Sequence, residues 1–187
     1  MKKRLLVGLT GASGAPLAVD VLRCLRDAPD WETHLICSDG FRLSLASESD
    51  LPVSAVLELA DAVYDVHDLA AAPASGTFRA EGMLVVPCSM KTAAGIASGY
   101  SDNLLLRAAD VTVKEGRKLV LAVRECPLSP IHLKNLLFLS EIGVRILPPV
   151  IPYYAGARTV EELTRQIAGR CLAEFGIDCP GFVRWKS

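Results

Sequence analysis

Short unbroken apolar runs alternate with longer stretches of helical periodicity along this chain. Runs at 5–9, 33–37, 63–66, 83–86, 118–123 and 144–147 are rich in Leu, Val and Ile, which predicts strands buried on both faces. Between them apolar residues recur at helical spacing. Ala18, Val19, Val21, Leu22 and Leu25 form one such stripe, and further helices are predicted at 41–47, 51–60, 93–97, 104–113, 131–141 and 159–175. The connections are short and carry Gly, Pro and Ser, including a small-residue loop at 70–76. Strands and helices in alternation predict a doubly wound α/β fold, a mostly parallel sheet with helices on both faces.

Composition supports one sizeable core: 51% of the 187 residues are hydrophobic, with no linker, charge block or internal repeat to divide them. Twenty Lys and Arg are balanced by twenty-one Asp and Glu, a formal net charge of −1, so no nucleic-acid-binding surface is expected. Met1-Lys2-Lys3-Arg4 leads into an apolar run too short for a secretion signal, and no stretch approaches the ~20 apolar residues of a membrane span. Six cysteines, at 24, 37, 88, 126, 171 and 179, lack paired metal spacing and are expected to be reduced thiols in a cytoplasmic protein.

Candidate chemistry gathers where predicted strands end. The run at 83–86 delivers Pro87-Cys88-Ser89-Met90-Lys91-Thr92 to the carboxyl edge of the sheet, where open α/β sheets bind ligands. Ser13, in the turn Thr10-Gly11-Ala12-Ser13-Gly14, and Ser38, after the second strand, bring hydroxyls to two further strand ends. The glycines do not follow the GxGxxG spacing and no P-loop is present, so dinucleotide and Walker-type sites are not indicated. Hydroxyls and free N–H groups at helix starts suit an anion, and a mononucleotide such as FMN fits. Arg107, Lys114 and Arg124 add positive charge for a second phosphate-handling pocket.

Each residue also has a plainer reading. Glu48, in Ala46-Ser47-Glu48-Ser49-Asp50, reads as an exposed helix end; Arg124 and Glu125 as a structural ion pair; Arg107 and Lys114, seven apart on one helix, as a solvated face. His132 reads as a helix cap, and neither His34 nor His67 has a companion at metal-ligand spacing, so no metal is expected. Tyr153 and Tyr154 could simply cover the core edge, and Arg184-Trp185 could belong to a loose tail.

Taken together, Thr10-Gly11-Ala12-Ser13-Gly14, Pro73-Ala74-Ser75-Gly76, the 87–92 segment, Arg107-Ala108-Ala109-Asp110, Lys114-Glu115, Arg124-Glu125-Cys126-Pro127-Leu128-Ser129 and Arg184-Trp185 resemble the UbiX-like flavin prenyltransferases, over essentially the whole chain. The resemblance implies a single flavin-binding domain over 1–187, Rossmann-like or flavodoxin-like, with a tail from about residue 176 closing the active site. It implies that the dimethylallyl group of dimethylallyl monophosphate is joined to N5 and C6 of reduced FMN, giving prenylated FMN for a partner decarboxylase. It places Gly11, Ala12, Ser13, Ser38, Ser89, Thr92 and Arg107 on FMN, and Ser75, Lys114, Arg124, Tyr154 and Arg184 on the prenyl phosphate. Ser13 and Glu48 become proton carriers, supported by Glu125. No DDxxD motif is present, so charge-assisted bonds replace magnesium. A homododecamer with shared sites is also implied.

Two positions depart from the family pattern: Asp39 stands where members often carry Lys, and Leu69 where some carry an aromatic residue. Two rival readings remain open at this point. A flavin-dependent cysteine decarboxylase-like enzyme would need an active-site histidine, for which His67 is the candidate, and an Asn that the Pro-Ala-Ser-Gly loop lacks. A non-catalytic flavin carrier would not need Lys114, Arg124 and Arg184.

Overall fold

Residues 2–186 are described by a computed structural model of the chain. Six strands form one parallel sheet: β1 (Lys3–Leu9), β2 (Trp31–Cys37), β3 (Ala62–Tyr64), β4 (Gly82–Cys88), β5 (Lys118–Val123) and β6 (Arg145–Ile146). Their spatial order is β3-β2-β1-β4-β5-β6, so the winding reverses between β1 and β4. Leu5 pairs with Thr33 on one side and with Gly82 on the other. The two central strands are buried almost throughout because helices cover both faces.

One face carries α1 (Ala15–Arg26), α2 (Asp39–Glu48), α3 (Val53–Leu57) and α7 (Val160–Ala173), packed on Leu5, Val7, Leu9, Leu84 and Val86. The other carries α4 (Met90–Ser98), α5 (Leu104–Lys114) and α6 (Pro130–Glu141), packed on Leu6, Ile36, Met83, Val85 and Leu121. Successive strand residues thus feed opposite cores, as the pleat dictates. The predicted helix at 51–60 is shorter than expected: Pro52 sets its start, and only Val53–Leu57 is helical.

His132 is the helix cap its position predicts. The Ser129 Oγ accepts the His132 N–H, and the His132 ring nitrogen accepts the Ser129 N–H, each at 3.2 Å.

The cysteine expectation is corrected at one pair. Cys24 on α1 and Cys179 form a disulfide, while Cys37, Cys88, Cys126 and Cys171 are free. The reason is the fold: the chain turns back after α7, which lies along α1, and brings the two Cα atoms to 5.3 Å across 155 residues of sequence. The tail continues along α7, where Gln166 donates to the Gly181 carbonyl and accepts the Val183 N–H.

Candidate active site

The reversal between β1 and β4 opens a cleft at the carboxyl edge of the sheet, the expected ligand position for this topology. Its volume is about 370 Å³, and four strand ends contribute to it: Thr10 and Gly11 after β1, Ser38 to Gly40 after β2, Val66 and His67 after β3, and Ser89, Lys91 and Thr92 after β4. Leu105 and Leu106 of α5 add an apolar wall.

The turn after β1 is held by Thr10, which is buried. Its hydroxyl donates to the Pro87 carbonyl and accepts the Ser89 N–H, both at 2.8 Å, stitching the first and fourth strand ends together. Gly11 then meets Gly40 backbone to backbone: a Cβ on Gly11 would stand 2.9 Å from the Gly40 Cα, closer than any side chain tolerates. Two helices start beside this contact. Ser38 caps α2 by accepting the Phe41 N–H, and Ser89 caps α4 by accepting the Thr92 N–H, each at 3.3 Å. The Ser89 and Thr92 hydroxyls are 3.0 Å apart. Behind each cap lies a cysteine of the preceding strand. Burial pushes the Cys37 thiol up to about 11 and Cys88 to about 12, so neither is a nucleophile.

Glu48 departs from its plain reading. It is half-buried at the end of α2, and its Oε2 accepts the Gly14 N–H at 2.9 Å and the Ala15 N–H at 2.8 Å. A carboxylate there satisfies two orphan donors of α1 and opposes the positive end of its dipole. It also lies beside Ser13, the residue preceding Gly14. Gly11, Ala12, Ser13, Ser38, Glu48, Ser89 and Thr92 are therefore gathered at one edge, with α1 already neutralised and α2 and α4 capped only by hydroxyls. Arg124 and Glu125 emerge from β5 beside them: the Arg124 N–H donates to the Cys88 carbonyl at 3.0 Å, and Glu125 turns its Oε1 to the Cys126 N–H.

A second group stands apart. Arg107 on α5 donates to the Ala74 carbonyl at 3.2 Å and to Asp110 at 2.6 Å. At the far end of the same helix Lys114 pairs with Glu115, whose carboxyl it holds below the usual range by hydrogen bond and charge, and both lie against Gly76, next to Ser75. Arg117 anchors the same loop through the Gly76 and Phe78 carbonyls, both at 2.7 Å. Lys114 is ten residues beyond Leu104, about 15 Å along the helix from the end that borders the cleft. Within one chain Lys114 thus does not meet the strand-end group. Tyr154 and Arg184 form a third group with the tail, where Tyr154 packs edge-on to Trp185 at 5.0 Å and Arg184 pairs with Asp178 at 2.9 Å. Among the described residues no three His, Cys, Asp or Glu side chains gather as a metal site.

Sequence reasoning did not place Thr10, Val66 or His67 on this cleft, although Thr10 belonged to the first turn motif and His67 was the histidine of the cysteine-decarboxylase reading. Thr10 carried a signal, a hydroxyl residue ending an apolar run before glycine; the other two follow a three-residue strand whose place beside β2 only the sheet order gives.

Comparison with known proteins agrees with this geometry. Residues 1–172 match the model of the Flavoprotein family. Flavin prenyltransferase UbiX of Escherichia coli strain K12 is 45% identical over 186 residues, covering 98% of each chain. Among solved structures, a dodecameric FMN-dependent UbiX-like decarboxylase from Escherichia coli O157:H7 superposes with a TM-score of 0.96 at 47% identity, covering 98% of this chain and 100% of that one. AnUbiX (PadA1), in complex with FMN and dimethylallyl pyrophosphate, superposes with a TM-score of 0.97 at 46% identity, covering 100% of this chain and 99% of that one. With relatives this similar over nearly its whole length, the chain belongs to the UbiX-like flavin prenyltransferases, enzymes of the transferase class.

Proposed function

We propose that this chain binds FMN in the carboxyl-edge cleft and transfers the dimethylallyl group of dimethylallyl monophosphate to it. The observation that carries the reading is the convergence of two hydroxyl-capped helix starts and a backbone-only floor where β1 and β4 diverge. Those donors fit a phosphate, and Val66, Leu105 and Leu106 fit a flat aromatic ring. When bound, reduced FMN would supply nucleophilic N5, which takes the five-carbon group as inorganic phosphate leaves, and C6, whose ring proton is given up as the prenyl double bond is protonated and the second bond closes.

The chain's own residues have divided tasks in this proposal. Ser38, Ser89 and Thr92 hold FMN, with the Gly11 and Ala12 backbone beneath it. Ser13 and Glu48 move protons, and Glu125 supports them from the neighbouring strand end. Lys114, Arg124, Tyr154 and Arg184 stabilise the leaving phosphate without a metal, with Ser75 beside them. Arg107, tied to Ala74 and Asp110, acts on FMN by fixing the loop it touches.

Because the length of α5 separates Lys114 from its own cleft, Lys114, with Ser75 near it, completes the cleft of a neighbouring copy in an oligomer, a dodecamer by relation to the solved neighbour. The tail from about 176 closes over the same shared site. The chain is taken to act in the cytoplasm, delivering prenylated FMN to a decarboxylase; no helix among the described residues is long and apolar enough to cross a membrane.

Anaerobic incubation with reduced FMN and dimethylallyl monophosphate, followed by mass spectrometry of released flavin, tests the reaction. A flavin heavier by one prenyl unit supports it; unchanged flavin with FMN bound overturns it in favour of a carrier. Mixing Ser13→Ala with Lys114→Ala subunits tests sharing: activity recovered on mixing supports it, and none overturns it.

A further inference from the structure

We infer that His67 and Asp39 form a charge-compensating pair at the mouth of the cleft, and that the proton on His67 sets how strongly the cleft holds the phosphate of FMN. This rests on the flavin reading above. His67 Nε2 lies 3.1 Å from Asp39 Oδ2, joining the segment after β3 to the first turn of α2. Both residues line the cleft, although 28 positions separate them in sequence. The His67 backbone is fixed, its N–H donating to Asp65 Oδ1 at 3.0 Å and its carbonyl accepting the Leu69 N–H at 3.2 Å. Both side chains are 69% exposed, so a pair here adds little to stability, yet its proton exchanges freely with solvent.

The charge balance gives the pair its role. Asp39 places a carboxylate in the first turn of α2, beside the Ser38 hydroxyl proposed to hold the phosphate. The other charged residues lining the cleft are Lys91, from α4, and Asp102, before α5. With His67 neutral the lining therefore carries one net negative charge, and with His67 protonated it carries none. Arg42, one turn further along α2, and Asp65 and Asp68, flanking His67 in sequence, are further charged groups near the pair. A negative lining opposes a phosphate monoester through Coulomb repulsion, partly screened at an open mouth. An imidazole can stand with or without a charge, so the charge state of His67 decides whether the lining opposes the phosphate.

The test is a set of FMN dissociation constants at pH 5.5 and pH 8.0, at low salt, for the unaltered protein, His67→Gln and Asp39→Asn, with riboflavin as the phosphate-free comparison. Taking the ratio between proteins at each pH cancels the titration of the phosphate itself. The unaltered protein should bind FMN about three- to fivefold more tightly than His67→Gln at pH 5.5 and equally at pH 8.0. Asp39→Asn should bind FMN more tightly than the unaltered protein at pH 8.0, and riboflavin should show none of these differences. A ratio independent of pH, or riboflavin following FMN, overturns the inference while the flavin site stands. Failure of the unaltered protein to bind FMN at either pH overturns both.

Discussion

The strand-end cleft and the α5 group are built from opposite materials. At the strand ends the chain presents mainly backbone and short hydroxyls, and the Glu48 carboxylate beside them is spent on the start of α1. Along α5 and just past its end the chain presents long cations, each engaged by its own neighbours: Arg107 by Asp110, Lys114 by Glu115, Arg117 by two carbonyls. The first region is rigid because strands fix it and needs no ligand to be complete. The second is electrostatically settled in the single chain, so an incoming phosphate must compete with the resident carboxylates. Binding and group transfer are therefore separable by mutation.

The largest effect expected comes from breaking the cleft floor. Gly11→Val would drive a side chain into the Gly40 backbone, costing about 1–3 kcal/mol of stability and abolishing FMN binding, read by thermal melting and flavin fluorescence. Retained FMN affinity would show that the two loops yield and that the floor is not rigid. Next, Lys114→Ala should lower prenyl transfer about 100-fold while FMN affinity stays within about twofold. A matching loss of FMN binding would erase the contrast between the regions.

Glu48→Gln keeps an acceptor for the Gly14 and Ala15 N–H groups but removes the charge and the titrating proton. Stability should fall by no more than about 1 kcal/mol, while transfer slows about 100-fold; equal rates would leave Glu48 a helix cap alone. The smallest effect lies behind the α5 group. His34, stacked near Tyr64 and edge-on to Phe78, is held below the 6.5 of free imidazole, chiefly by burial. The folded chain then binds fewer protons there than the unfolded chain, so stability declines as pH falls through 6.5 and levels off below the folded-state value. His34→Gln should flatten that limb of a melting-temperature profile.

Most of the fold was legible because buried parallel strands leave continuous apolar runs, and four of the six predicted strands lie wholly within observed ones. The exceptions are the two edge strands: 63–66 became Ala62–Tyr64 and 144–147 became Arg145–Ile146, where fewer neighbours hold a strand in register. Ser38, Ser89 and Thr92 were legible for the same reason: a hydroxyl directly after a strand has few other places to go. Glu48 was not, since its partners lie 33 and 34 residues away and its own surroundings in sequence are those of a helix end. Nor could spacing place Lys114, because a helix face shows which residues align but not how far along the helix the cleft lies. The Cys24–Cys179 pair was hidden likewise, by a reversal of the chain after α7.

The Glu48 cap has a consequence for the order in which the molecule forms. An ordinary cap comes from the residue just before the helix, so a β1–α1 unit closes by itself. Here the closing group arrives from the end of α2, after β2 has paired with β1. A fragment ending at residue 47 would possess all of α1 yet lack its cap, and its first turn would fray. The Gly14 and Ala15 amides are thus built-in reporters of α2 docking, and their hydrogen-exchange protection should appear with that event and be lost with it.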